Sequence, residues 1–265
     1  MLSALLRHEE IIVNSPLGSE AFDFEGTFEA SDYRYFYDRF LTEERSEQEA
    51  DLVWRLLGLQ PGLPVLDLAC GYGRIANRLA ARSCLVSGLD QSAAFLDQAR
   101  AEAEKRGLAV DYRQGDMRTL PTEWTGRFAA VLSWFTSFGY FSDEENRQVL
   151  AEIARVLQPG GRLLLELPNR DRLLRVFQPD MVLERDGAWL IDQLHYDVLS
   201  GRLHTRRVIL RDGRQRETHF FVRLLTLPEL ADWLRQAGFS RVEAYNEQGA
   251  PFSLESRRLL TVATR

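Results

Sequence analysis

Two hydrophobic periods divide this chain. From residue 64 onward, short apolar runs alternate with segments whose apolar residues recur at helical spacing. The runs 64–69, 84–89, 109–114, 128–133 and 162–167 read as buried strands, and the stretches 73–81, 92–106 and 143–157 as helices. Gly107 closes the second of these helices and Pro159-Gly160-Gly161 the third. Strands and helices alternating at this spacing predict βαβ units and a parallel sheet. Right-handed crossovers then bring the strand C-termini to one edge, where open α/β sheets bind ligands. Asp67, Asp90, Asp116 and Trp134 fall on that edge, each from a different strand.

The alternation stops after the fifth run. Segments 188–198, 202–211 and 215–225 are extended, joined by the hairpin turns Ser200-Gly201 and Asp212-Gly213. They predict an antiparallel insertion. The helical period returns at 227–237, with Pro228 in its first turn, and strands 241–246 and 258–264 follow. The link between these last two strands is too short for a helical crossover, so they are expected to pair antiparallel. Ahead of the first strand, Ser31 or Asp32 caps a helix carrying Tyr33, Tyr35, Phe36, Tyr37 and Phe40. A second helix runs over 46–57 with Ala50, Val53, Trp54 and Leu57 on one stripe. Residues 1–30, broken by Pro16, Gly18 and Gly26, read as a surface segment. The expected organisation is an N-terminal helical cap over 1–60, an α/β domain over 61–170 and 226–265, and an inserted antiparallel lid over 171–225.

Composition narrows the class. The 265 residues are 45% hydrophobic and 27% charged, as in a soluble globular protein. A net charge of −6 argues against a general polyanion binder, while leaving room for a local basic groove. Cys70 and Cys84 have no metal-ligand spacing and read as reduced thiols of a cytoplasmic protein, with no metal site. No apolar run approaches a membrane span, and Arg7, His8, Glu9 and Glu10 interrupt what a signal peptide would need as its apolar core.

The candidate chemistry begins at the end of the first strand. Gly71 and Gly73 sit between a strand and a helix, where glycine permits backbone angles closed to other residues and close approach of a ligand. Gly71-Tyr72-Gly73-Arg74-Ile75-Ala76 fits the dinucleotide pattern G-x-G-x-x-[GA], with Asp90 at a plausible distance. The acids point elsewhere. A carboxylate at Asp67 would repel a pyrophosphate and attract a cationic amino-acid ligand. Asp90 and Asp116 add to the acidic character, with only Arg74 and Arg118 in balance. The pattern suits a ligand with an ammonium group, a ribose diol and an adenine, and no phosphates.

Val65-Leu66-Asp67-Leu68-Ala69-Cys70-Gly71-Tyr72-Gly73-Arg74 resembles the first motif of class I S-adenosylmethionine-dependent methyltransferases. Gly88-Leu89-Asp90-Gln91-Ser92 is similar to their second-strand acidic motif, and Gly115-Asp116-Met117-Arg118 to the third. Phe128-Ala129-Ala130-Val131 and Arg155-Val156-Leu157-Gln158-Pro159-Gly160-Gly161 resemble the fourth-strand motif and the turn before the fifth strand. The resemblance covers about residues 33–265 and is specific as an ordered set, although Ala129 stands where family members often have Asp. It is nearest to bacterial small-molecule methyltransferases with an antiparallel lid. It implies a Rossmann-like three-layer sandwich, with a mostly parallel seven-stranded sheet, an antiparallel last strand and a β lid after strand five. It also implies S-adenosyl-L-methionine as cofactor and S-adenosyl-L-homocysteine as product.

Roles carried over from the family place Gly71 and Gly73 under the methionine part of the cofactor, with Asp67 and the Ala69 carbonyl orienting it. Asp90 would accept the ribose hydroxyls, Gln91 would lie along the adenosine, Asp116 would accept the adenine amino group and Met117 would pack on its ring. Ser133 and Trp134 would border the sulfonium side, and Tyr37 or Tyr33 would close over the methionine end. The segment from Trp134 to Phe141 lacks His, Asp and Glu and does not match the Asn/Asp-Pro-Pro-Tyr signature of nucleic-acid amino methyltransferases. Its Phe135, Phe138 and Tyr140 suit a flat small molecule or a cation. Alternation puts His219, Phe221 and Arg223 on one face of the insertion. If that face covers the cleft, His219 and Tyr140 are the candidate catalytic groups, with His195 and Arg223 as further acceptor-binding residues. The expected function is transfer of a methyl group by in-line displacement to N, O or C of a small molecule, by a monomer or homodimer that meets no nucleic acid or membrane. The alternatives are an RNA methyltransferase using Arg202, Arg206, Arg207, Arg211, Arg214 and Arg216, and a non-catalytic cofactor-binding protein.

Overall fold

The computed structural model describes residues 24–265; the first 23 residues of the expected surface segment lie outside the described part. Three helices lead in: α1 (Phe24–Thr27), α2 (Ala30–Tyr37) and α3 (Glu43–Leu57). The α/β part comprises β1 (Pro64–Leu68), α4 (Ala76–Ala81), β2 (Leu85–Asp90), α5 (Ala93–Lys105), β3 (Val110–Gln114), β4 (Phe128–Ser133), α6 (Asp143–Val156) and β5 (Leu157–Pro168). Next come α7 (Arg170–Arg175), β6 (Asp180–Arg185), β7 (Ala188–Asp197), β8 (Arg202–Arg211) and β9 (Arg214–Arg223). The chain closes with α8 (Leu227–Gln236), β10 (Arg241–Tyr245) and β11 (Arg258–Thr264).

Seven strands form one sheet in the order β10-β11-β5-β4-β1-β2-β3. β1 to β5 are parallel, and β11 runs antiparallel to both β5 and β10. Successive residues of the central strands feed opposite cores, which is why these strands read as continuous apolar runs. Val65, Leu132, Leu164 and Leu260 pack with α3, α4 and α5 on one face. Leu66, Val131, Leu163, Leu165 and Leu259 pack with α6 and α8 on the other. Chain order reverses between β1 and β4, and the C-terminal ends of β1, β2 and β4 open into one crevice there.

The second sheet is antiparallel, in the order β6-β7-β8-β9. Three of its strands were expected; β6 was not, although Asp186-Gly187 marks the β6–β7 hairpin with both residues at positive φ. Its inner face packs Ala188, Leu190 and Ile209 on Phe36 of α2, and Val222 beside Tyr140.

Several boundaries differ from the sequence reading. Glu29 rather than Ser31 or Asp32 caps α2, its carboxylate accepting from the backbone N–H groups of Ser31 and Asp32. The second helix starts at Glu43 because the Thr42 hydroxyl accepts from Arg45 N, and two glutamates favour the helix N-terminus. α4 starts at Ala76 rather than residue 73, because Gly71 and Gly73 both hold positive φ. β5 starts five residues early, since Leu157 pairs with Phe128 ahead of a register shift at the Pro159-Gly160-Gly161 turn.

Candidate functional site

A cavity of about 310 Å³ lies at the crevice, lined from both sheets and the N-terminal helices. Its floor is the turn after β1. Asp67, Ala69, Cys70 and Gly71 line it, and Asp90, Gln91 and Ser92 follow from the end of β2. Gly115 and Met117 come from the end of β3, and Trp134, Phe135, Thr136, Ser137 and Tyr140 from the segment after β4. Tyr33 and Tyr37 of α2, Phe24, Phe28, Arg207 and Phe220 complete the wall opposite.

The floor is organised by Asp90. One carboxylate oxygen accepts from Gly71 N at 2.7 Å and the other from Ser92 N at 2.9 Å. Ser92 in turn caps α5 through Phe95 N. A carboxylate has about four lone-pair positions, so Asp90 keeps acceptor capacity toward the cavity. Burial raises its pKa, opposed by these backbone bonds. Asp67 is 2% exposed. Burial pushes its carboxyl up to about 7 from an ordinary value of 3.8, against the Ala76 N–H and Arg74 and with help from Asp90.

The folded state holds a proton on Asp67 that the unfolded chain releases between about pH 4 and pH 7, so the unfolded state binds fewer protons there. The group's stabilising contribution is complete below its unfolded pKa and is lost as pH rises through about 7. Asp67→Asn is expected to flatten the decline in unfolding midpoint across this window and to stabilise the protein above it. A wild-type midpoint–pH curve from the variant would exclude Asp67 as the source.

The segment after β4 is held in an uncommon conformation. Phe135 and Thr136 have φ of 63° and 58°, the left-handed region that costs a side-chain-bearing residue about 1–2 kcal/mol. Glu166, 2% exposed at the end of β5, holds it by accepting from Thr136 N at 3.1 Å. Arg258 pairs with Glu166 and reaches Thr136 Oγ1 at 3.4 Å. On the other side, Glu49 of α3 accepts from the Trp134 indole at 3.0 Å and pairs with Arg74 at 2.6 Å.

The structure brings together Tyr37, Asp67, Ala69, Gly71, Asp90, Gln91, Met117, Trp134, Phe135 and Tyr140 around the cavity. Tyr33, the alternative to Tyr37, lines it too, and the remaining expected site residues stand outside its lining. Gly73 packs beneath the turn against Tyr112 and Ala99. Asp116 turns its carboxylate to Arg118, with Nη2–Oδ2 at 2.6 Å. Ser133 is 1% exposed, and Phe138, also 1% exposed, belongs to the core under α6 and α8.

His195, His219 and Arg223 need a correction of face. Strand pairing sets His195, His204 and Phe221 in one row on the outer face. The inner rows are Asp192–Arg207–Thr218 and Leu194–Thr205–Phe220. His219 is 47% exposed, beside Glu217. Arg223, at the strand end, ties β9 to the starts of α6 and α8 through Asp143 and Glu229. Both faces of β8 and β9 carry apolar residues, so period-2 alternation identifies the faces without saying which one is inward.

Sequence reasoning missed Arg258, Phe28, Phe220, Glu49 and Glu166, and placed Arg207 only among the insertion's arginines that would meet RNA. The available signal was an arginine sharing a strand face with Leu203, Thr205 and Ile209. Of the insertion's arginines, Arg202 pairs with Asp143, Arg206 with Glu217, Arg207 with Asp192, and Arg211 and Arg216 with Asp32. No group of His, Cys, Asp and Glu among the described residues could hold a metal ion, and no helix among them is long and apolar enough to cross a membrane.

Residues 65–161 match a family model described as a methyltransferase domain. A Geobacillus sp. (strain WCH70) protein carrying a methyltransferase name is 27% identical over 221 residues, 80% of this chain and 89% of that protein. The ubiquinone biosynthesis O-methyltransferase of Pseudomonas aeruginosa (strain LESB58) is 30% identical over 177 residues, 67% of this chain and 64% of that enzyme. Among solved structures, that of S-adenosylmethionine-bound CalS10 from Micromonospora echinaspora, an amino pentose methyltransferase of calicheamicin biosynthesis, is similar with a TM-score of 0.63. It is 23% identical, and the match covers 94% of this chain and 100% of that one.

Proposed function

The chain belongs to the class I S-adenosylmethionine-dependent methyltransferases, and on that premise we propose that it is a cytoplasmic enzyme that methylates N, O or C of a small-molecule acceptor. The observation that carries this reading is the charge balance of the cavity. Its three arginines, Arg74, Arg207 and Arg258, are each matched by a carboxylate from behind the wall: Glu49, Asp192 and Glu166. Asp90 remains beside the glycine turn with no arginine of its own, and Asp67, its carboxyl pushed up to about 7, gives up its proton when a cation lies against it. That excess suits a cationic amino-acid nucleoside and repels a pyrophosphate.

When bound, S-adenosylmethionine supplies a methyl group activated by its sulfonium. The residues present fit such a group. On this reading the open acceptor positions of Asp90 take the ribose hydroxyls, and Asp67 with the Ala69 carbonyl faces the ammonium. Gly71 lies under the methionine part, Gln91 along the adenosine, and Met117 against the adenine. Asp116 reaches the adenine only by giving up contacts with Arg118. Trp134 and Tyr37 close the methionine end, and the aromatic walls exclude water and orient the acceptor. The cavity size supports a small acceptor, as does the pairing of most of the insertion's arginines, which leaves little free basic surface for RNA. The amino pentose named for CalS10 is an acceptor of this kind.

Titration calorimetry is the direct test. Binding heat is expected from S-adenosylhomocysteine and none from NAD; the reverse order would return the glycine turn to a dinucleotide. Formation of S-adenosylhomocysteine from S-adenosylmethionine with any acceptor would rule out a purely binding role.

A further inference from the structure

On the side of the cavity formed by the second sheet, the inner face carries a buried ion pair. The Arg207 side chain is 8% exposed and that of Asp192 2%. Nε and Nη2 of Arg207 donate to the two Asp192 oxygens, each at 2.7 Å, and Nη2 also donates to the Tyr37 hydroxyl at 3.1 Å. Nη1 donates no hydrogen bond to any described residue, yet Arg207 lines the cavity. The Tyr37 oxygen receives a proton from Arg207, and its own proton has no acceptor among the described residues. Burial holds that proton on the phenol by raising its pKa.

Both residues line the cavity, so these two donors are open to an acceptor bound there. Burying two charges costs several kcal/mol, and an apolar pair would fill this sheet face at lower cost, as Leu190 and Ile209 do nearby. The pair's rigid geometry leaves one edge of a guanidinium directed at whatever enters. The surroundings are aromatic: the Arg207 guanidinium lies 5.1 Å from the Phe220 ring centroid, and the Tyr140 ring lies 6.4 Å from the same ring. Phe28 stands edge-on to Tyr140 at 5.6 Å.

We propose that Arg207, braced by Asp192 and assisted by Tyr37, is an acceptor-binding residue that takes an oxygen anion, a carboxylate or ionised phenol, carried by a flat apolar methyl acceptor. The proposal rests on the cavity being the methyl-transfer site. A charged donor binds an ionised oxygen roughly twice as strongly as a neutral pair binds. The same donors offer nothing to an ammonium group, which the guanidinium repels. The cavity is thereby divided, with carboxylates at the glycine turn for a cation and donors at the second sheet for an anion.

Binding to protein saturated with S-adenosylhomocysteine tests this with four probes: benzoate, 4-nitrophenol at a pH where it is ionised, benzamide and benzylamine. One or both oxyanions are expected to bind at least about tenfold more tightly than benzamide, with benzylamine weakest. Benzoate alone would identify a carboxylate, nitrophenolate alone an ionised phenol. Arg207→Gln should remove this preference while leaving benzamide unchanged. The double variant Asp192→Asn/Arg207→Gln, which leaves no unpaired buried carboxylate, should do the same if the single variant fails to fold. Equal binding of benzoate and benzamide, preferential binding of benzylamine, no oxyanion binding at millimolar concentration, or a preference that survives both variants would each overturn the proposal. Failure of S-adenosylhomocysteine to bind the wild type would instead overturn the cofactor reading beneath it.

Discussion

Gly73→Ala is expected to cost roughly 2–5 kcal/mol of folding stability and to abolish binding of S-adenosylhomocysteine. Gly73 has φ of 76°, and a Cβ there would lie 2.2 Å from the Tyr112 hydroxyl and 3.0 Å from Ala99 Cβ. Tyr112 has no room to retreat. It is 7% exposed, and its hydroxyl donates to Asn77 Oδ1 at 2.7 Å. Asn77 is itself tied to the Ala99 carbonyl at 3.3 Å. The new methyl group must therefore displace the turn, which carries Gly71 and the floor of the cavity with it. Gly71→Ala is the informative comparison: φ is 54°, but no atom lies within 4 Å of the added Cβ. It should lose less stability and still weaken the cofactor analogue, because the methyl group occupies space on the cavity side. Thermal unfolding with and without S-adenosylhomocysteine measures both effects. A Gly73→Ala protein with wild-type midpoint would show that β3 yields to the turn.

Asp90→Ala should weaken S-adenosylhomocysteine by about a hundredfold or more, since it removes charged acceptor bonds worth about 1.5–3 kcal/mol each. Two losses add. The Gly71 and Ser92 N–H groups lose the carboxylate that positions the turn against the start of α5. On the proposed reading, the ribose hydroxyls lose their acceptor as well. Asp90→Asn separates the two, because its single amide oxygen can satisfy one backbone N–H but not a diol in addition. Its affinity should fall between wild type and Asp90→Ala, with a smaller drop in unfolding midpoint than Asp90→Ala, because one of the Gly71 and Ser92 N–H groups then faces the amide NH2. Calorimetry on the three proteins gives the order, and equal affinities would move the ribose to another part of the cavity.

These predictions concern positions that local pattern made legible. The turn could be read because strand, glycines and helix are contiguous, and the acids at the ends of β1, β2 and β3 because parallel topology sends those ends to one edge. Asp116 shows the limit of that logic: it is at the expected edge, but Arg118 two residues away takes its carboxylate. The hairpins of the second sheet were legible from their turn dipeptides, and β6 was missed although Asp186-Gly187 obeys the same rule.

By itself, the sequence determined the βαβ order, the parallel sheet with an antiparallel end, the acidic glycine turn and the family. Each follows from residues near one another in the chain or from a period repeated along it. Only the tertiary structure decided which face of β8 and β9 turns inward, and so whether His219 or Arg207 meets the cavity. It alone paired Glu49 with Arg74 and Trp134, Glu166 with Arg258, and Arg207 with Tyr37. A strand apolar on both faces carries no phase, and an ion pair between distant segments leaves no local trace. Both are settled when the second sheet packs onto α2 and the C-terminal edge of the first.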